Sequence, residues 1–281
     1  MGNITIHRKM AHLKDINIFY RGTENDAPAI LCLHGRWGRG ETWIDFMRHY
    51  GDRYRIIAPD LRGHGLSGKP TSKYTAQEMS GDMISLLDYL GIESAILVGH
   101  SMGGHIAGYL AAMHPRYVRA LAILDKSAAG PEPAGELAVD RIVPVDPVTG
   151  NWPLPFKSFS EAQETIRRDM ESEQSYQYFM NSLVETEEGY GMMFSTQAIA
   201  ANIANYCDWY EWLPRISCPV LLIRSKGSGA VKDADFEKMS SMIPDCLAFE
   251  MTDPDHNVHL ADKAAFYAHF DEFLEKRISE K

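Results

Sequence analysis

The chain has 281 residues, 45% of them apolar and 23% charged, and a formal net charge of −10 at pH 7. That composition describes a soluble globular protein long enough for one large core and an insertion. It holds no apolar run of the 18 or more residues that span a bilayer, and its acidity argues against nucleic acid, whose affinity rests on clustered Lys and Arg.

The N-terminal MGNITIHRKM lacks the apolar stretch of a signal peptide. Four cysteines without CxxC spacing read as free thiols. A cytoplasmic protein is expected, with no membrane partner, and nothing in the composition argues against a homodimer.

Ile4–His7 and Ile16–Tyr20 read as two N-terminal strands. Short apolar runs follow at Ala29–Leu33, Arg55–Ala58, Ala95–Val98, Ala120–Leu124, Val220–Ile223 and Cys246–Met251, the pattern of strands buried on both faces. Helical patterns at Glu41–Tyr50, Thr75–Leu90, Met102–Met113, Asp233–Met242 and Ala261–Glu275 separate them. The alternation predicts an α/β protein with a doubly wound, mostly parallel eight-stranded sheet.

One interval breaks the rhythm. From Leu124 to Val220 about ninety residues pass without a strand signal, too many for a loop in a compact domain. Prolines punctuate its first part, Pro133 among them, and helix-like stretches follow at Glu161–Glu185 and Thr196–Tyr210. The expected division is a core of 1–126 and 216–281 around an inserted helical cap, 127–215.

GHSMGG at 99–104 follows the strand ending at Val98 and opens a helix. Gly99 and Gly103 stand where side chains would collide, so the turn can hold Ser101 out as a nucleophile at the helix N-terminus. His256, in TDPDHNVHL after the last strand, is the candidate base, with His259 its competitor. HGRWG at 34–38 follows the strand ending at Leu33. The backbone N–H groups of Arg36 and Met102 are the expected oxyanion donors. No His or Cys cluster has metal-ligand spacing, and no cofactor or metal is expected.

At this point the chain resembles the α/β-hydrolase family, on LHGRWG at 33–38, PDLRGHGLS at 59–67, GHSMGG at 99–104 and DHNVHL at 255–260. The resemblance implies strand order 1-2-4-3-5-6-7-8, with a cap of variable sequence after strand six. It also exposes a departure. The loop after strand seven usually carries the acid that orients the histidine, and here it reads SKGSGA, without Asp or Glu.

A minority of the family, some dehalogenases and 2-(acetamidomethylene)succinate hydrolase among them, places the acid after strand six. That position is Asp125 here. If the family order holds, Asp125 lies one strand spacing, about 4.8 Å, from the Ser101 strand. Its rivals have ordinary readings: Asp233 as a helix N-cap, Asp235 in the first helical turn, and Asp253 and Asp255 in a turn.

A Ser–His–Asp set with an oxyanion hole implies acyl transfer to water on a small molecule, an ester or lactone first, an amide or a C–C bond beside a ketone next. Ser101 excludes the aspartate-nucleophile mechanisms of dehalogenases and epoxide hydrolases. A cofactor-free ring-cleaving dioxygenase and a ligand receptor on the same scaffold are the readings from other classes. Aromatic residues of the cap could line an apolar pocket, and Arg36 and Trp37 are expected to face substrate, Arg36 as a partner for a carboxylate.

Overall fold

The computed structural model describes residues 4–132, 137–144 and 146–278; Pro133 lies outside them. Its strands are β1 (His7–His12), β2 (Asn17–Gly22), β3 (Ala29–Leu33), β4 (Arg55–Pro59), β5 (Ala95–His100), β6 (Val118–Leu124), β7 (Leu183–Thr186), β8 (Gly189–Met192), β9 (Val220–Ser225) and β10 (Cys246–Met251). Eight of them form one sheet in the order β1-β2-β4-β3-β5-β6-β9-β10, which is the order the resemblance implies once β7 and β8 are set aside. β1 and β2 run antiparallel to their neighbours and the rest pair in parallel.

Every residue of β3, β5 and β9 is buried, as continuous apolar runs require when helices cover both faces. Along β5, Ala95 and Leu97 enter one core cluster and Ile96 and Val98 the other. This is the alternation that a strand's pleat imposes. The first cluster takes Met79, Met83 and Leu86 from helix Ala76–Tyr89, Ile106 and Leu110 from Met102–Met113, and Met239 from Asp233–Met242. The second takes Phe46 and Tyr50 from Ile44–Tyr50, and Phe266, Phe270 and Phe273 from Lys263–Arg277.

The first strand falls later than its apolar pattern suggests, at HRKMAH rather than Ile4–His7. It is an edge strand whose charged side chains face water, so pairing with β2 defines it and hydrophobicity does not. The predicted C-terminal helix begins earlier and breaks once, as Val258–Ala261 and Lys263–Arg277, where Asp262 caps the second piece by accepting from Ala265 N–H.

The insertion between β6 and β9 is not wholly helical. Helices Phe159–Asp169, Glu173–Met180 and Thr196–Ala204 share it with the antiparallel hairpin β7–β8. The single helix expected over 161–185 stops at Asp169, because Ser172 restarts the chain as an N-cap that accepts from Ser175 N–H. Trp152, Phe156, Ile166, Tyr176, Phe179, Phe194 and Ile199 form a third apolar cluster within the insertion.

Candidate active site

β5 ends at His100, and the helix Met102–Met113 starts two residues later. Ser101 lies between them at φ 51° and ψ −117°, a conformation that side-chain-bearing residues rarely adopt and that a sharp strand-to-helix turn forces. A Cβ on Gly99 would come 2.3 Å from Gly103 O, and one on Gly103 would come 2.2 Å from Leu33 O. Both glycines are therefore required by space, as the motif predicted.

Register places Asp125 beside Ser101. His100 pairs with Leu124 across β5 and β6, so Ser101 and Asp125 leave the sheet side by side. Asp125 also has positive φ, 48°, and is fully buried. Its Oδ2 accepts from His256 Nδ1 at 2.7 Å and from Ser228 Oγ at 2.7 Å, and its Oδ1 accepts from Ser225 N–H at 2.9 Å. The loop that lacks a carboxylate thus supplies two donors to the carboxylate on the neighbouring strand. Ser225 N–H holds Oδ1, while Ser228 shares Oδ2 with His256.

His256 sits in the loop after β10 with its Nδ1 fixed as the donor, which leaves Nε2 as the basic nitrogen. His100 braces that loop: its Nε2–H donates to His256 O at 2.9 Å, and burial holds its ring well below the usual imidazole range, hence neutral. Ser101 and His256 line the same cavity, about 110 Å³ in volume, together with Arg36, Trp37, Tyr178 and Phe179. Among the described residues Ser101 Oγ has no hydrogen bond.

On the cavity's other side, His34 ties down the HGRWG loop. Leu61 N–H donates to its Nε2 at 2.9 Å and its Nδ1–H donates to Gly35 O at 2.7 Å. Burial lowers the His34 pKa to about 4, so the ring that makes both bonds stays neutral. The backbone N–H groups of Arg36 and Met102 donate to no described residue. The Arg36 side chain reaches the insertion, where Nε donates to Asn202 Oδ1 at 2.8 Å. Trp37 Nε1 donates to Asp146 Oδ2 at 2.7 Å, and the Trp37 ring packs on Phe179 with centroids 5.7 Å apart.

The rival groups fall elsewhere. His259 is buried and stacked on Trp43 at 4.3 Å, and burial lowers its pKa to about 3. Asp233 is not the N-cap of its helix: Lys232 holds that position, and Asp233 pairs with Arg224 at 2.6 Å. Asp235 accepts from Ser127 Oγ and Tyr210 OH. Asp253 and Asp255 bond backbone two residues on, as a turn reading predicts.

Of the insertion's aromatic residues only Tyr178 and Phe179 reach the cavity. Phe156, Tyr176 and Phe194 fill the insertion's own cluster, Trp209 joins the sheet's core, and Phe159 is exposed. The residues that sequence reasoning missed are Ser225, Ser228 and His100; Tyr178 was expected among the aromatics of the cap, but not the place of its hydroxyl. SKGSGA itself carried the signal for the first two, since serines replace the absent acid. Tyr178 is buried with a hydroxyl that lies against the Gly35–Gly38 loop without an aligned partner, and no local pattern announces that.

Residues 28–263 match the profile of a protein family described as alpha/beta hydrolase fold. A Haemophilus influenzae protein named putative esterase/lipase is 28% identical over 241 residues, which is 86% of this chain and 80% of that one. The 2-(acetamidomethylene)succinate hydrolase of Mesorhizobium japonicum is 27% identical over 256 residues, covering 87% of this chain and 86% of that one. The crystal structure of an E-2-(acetamidomethylene)succinate hydrolase superposes with a TM-score of 0.80 at 22% identity, covering 96% of this chain and 100% of its own.

Proposed function

Because the chain belongs to the alpha/beta hydrolase fold family and is a hydrolase, we propose that it cleaves a small carboxylic ester or lactone through an acyl-enzyme intermediate. The observation that carries this reading is the 2.7 Å bond from His256 Nδ1 to buried Asp125, with Ser101 and His256 on one cavity.

Ser101 Oγ attacks the carbonyl carbon while His256 Nε2 takes its proton. Asp125 holds the histidine's tautomer and stabilises the imidazolium as it forms. The N–H groups of Arg36 and Met102 receive the developing oxyanion, with the helix N-terminus behind them. Collapse of the tetrahedral intermediate breaks the bond to the leaving alkoxide, which takes the proton back from His256. Water, activated by the same imidazole, then frees the acid and restores Ser101.

An ester or lactone is favoured over an amide because its leaving group asks least of the general acid. The insertion, 127–215, serves as the cap over the site, with Tyr178 and Phe179 as its share of the wall. The test is covalent labelling: a fluorophosphonate probe labels the wild type and not Ser101→Ala. Ester turnover proceeds without oxygen uptake, which separates it from ring-cleaving dioxygenation. Labelling that persists in Ser101→Ala would remove the serine as nucleophile.

A further inference from the structure

Most buried arginines in this chain have carboxylate partners. Arg21 pairs with Asp60, Arg62 with Asp82, and Arg224 with Asp233 and Glu250. Two cations beside the active site do not. Arg36 spends only its Nε, on Asn202 Oδ1, and among the described residues its two Nη groups meet no acceptor.

Lys126 directly follows Asp125. Its ammonium lies 3.9 Å from the centroid of the Tyr206 ring, and among the described residues it forms no ion pair. A carboxylate that acts on Arg36 at longer range, Asp146, is committed to Trp37 Nε1, Thr149 and Val148 N–H.

Tyr206 is common to both cations: Lys126 lies over its ring and Arg36 acts on its hydroxyl. Burial and then the charge of Arg36 lower the Lys126 pKa to about 7, and burial likewise lowers Arg36. Among the described residues the Tyr206 ring and the more distant Asp146 offset part of this, and neither forms an ion pair with them. His105 is buried and held neutral, with its Nε2 unpartnered, and the Tyr206 hydroxyl already donates toward the carbonyls of Ser127 and Ala129.

The site is also in the right place. Arg36 lines the Ser101 cavity, and Lys126 Cβ lies 3.3 Å from where a Cβ on Gly104 would stand, in the first turn of the helix that Ser101 opens. Two partly buried like charges with no ion-pair partner among the described residues are costly, and in a chain of net charge −10 they are not explained by composition.

We propose that Arg36 and Lys126 together bind a carboxylate of the substrate, so that the ester cleaved at Ser101 is one that carries a free acid. The inference rests on the hydrolase reading for its reaction but not for its binding site. Two free Nη groups match the two oxygens of a carboxylate end-on, and the ammonium adds a point charge. A cavity of about 110 Å³ at the serine limits the group beside the reacting carbonyl to a short chain.

The experiment compares monomethyl succinate with methyl butyrate, which match in length and differ in the carboxylate. The wild type is expected to favour the acid ester at least tenfold in kcat/KM. Lys126→Met and Arg36→Gln should pull that ratio toward one, chiefly through KM for the acid ester, and Lys126→Arg should restore it. Thermal midpoints are recorded alongside. Lys126→Met should melt no lower than wild type, because it removes a repelled charge.

In parallel, calorimetry titrates succinate into Ser101→Ala and into Ser101→Ala/Lys126→Met, with at least tenfold weaker binding expected in the second. A wild-type ratio of one or less, or a ratio that Lys126→Met leaves intact, overturns the proposal. So does tighter binding of inorganic phosphate than of succinate. Turnover of methyl butyrate with no succinate binding to Ser101→Ala would sink the carboxylate site and leave the hydrolase reading standing. Succinate binding that depends on Lys126, with neither ester turned over, would do the reverse.

Discussion

Asp125 accepts three hydrogen bonds, one from the imidazole and two from the loop after β9. Removing its charge while keeping its shape isolates its role toward His256. Asp125→Asn should preserve the fold and lower kcat by up to ~10⁴-fold, the scale of acid loss in a protease triad. Ser228→Ala removes one neutral-to-charged donor and leaves the other two. Its loss should be far smaller, about tenfold, equivalent to roughly 1–2 kcal/mol. Steady-state kinetics with the best ester, read beside thermal midpoints, separates the two. Equal losses would mean that the loop, not the carboxylate, orients the histidine. Tyr178→Phe offers a complementary measurement. Its hydroxyl lies against the Gly35 and Gly38 backbone without a well-aligned hydrogen bond, so deleting it should change stability by no more than about 1 kcal/mol.

At the scale of elements, the place of Asp125 follows from parallel pairing. β6 lies between β5 and β9, so a carboxylate at the end of β6 is within reach of loops from both sides. On the proposed assignment of Asp125 as the acid, the helix Asp233–Met242 after β9 takes no part in catalysis, and its acidic residues serve structure. Asp233 is largely exposed beside Arg224, and Asp233→Asn should cost under about 1 kcal/mol. Asp235 joins that helix to Ser127 and to Tyr210, so Asp235→Asn should cost about 1–2 kcal/mol of stability with kcat within a few-fold of wild type. Chemical denaturation and kinetics on the same samples decide it. A collapse of kcat in either variant, with Asp125→Asn near normal, would return the acid to the region after β9.

Across the whole molecule, three apolar clusters divide the work. Two sandwich the sheet and fix the positions of Ser101, Asp125 and His256. The third holds the insertion that brings Tyr178 and Phe179 over them. Phe156 is fully buried in the third and Phe270 in the second. Each truncation to Ala should cost about 3–5 kcal/mol, but with different reach. Hydrogen exchange should rise across 148–204 in Phe156→Ala while β3, β5 and β6 stay protected. In Phe270→Ala protection should fall throughout the sheet. Exchange that rises equally everywhere in both variants would show the insertion and sheet to be one cooperative unit.

Short apolar runs, helical periodicity and the two glycines of GHSMGG are local signals, and local physics sufficed to predict the sheet, its main helices and the Ser101 turn from sequence. The bounds of β1 and the existence of the β7–β8 hairpin were not legible, because β1 is charged, the hairpin strands are only four residues long, and pairing is what makes them strands. Asp125 stood out in the sequence by the absence of an acid after β9, yet its link to His256 spans 131 positions and exists only through the β5–β6–β9 order. The bonds by which the two serines secure it, the neutral His100 beneath the His256 loop, and the lack of an ion-pair partner for Arg36 and Lys126 among the described residues were decided by tertiary structure. Hydrogen bonding, desolvation and charge repulsion depend on distances between residues far apart in the chain, and a sequence pattern carries periodicity but not those distances.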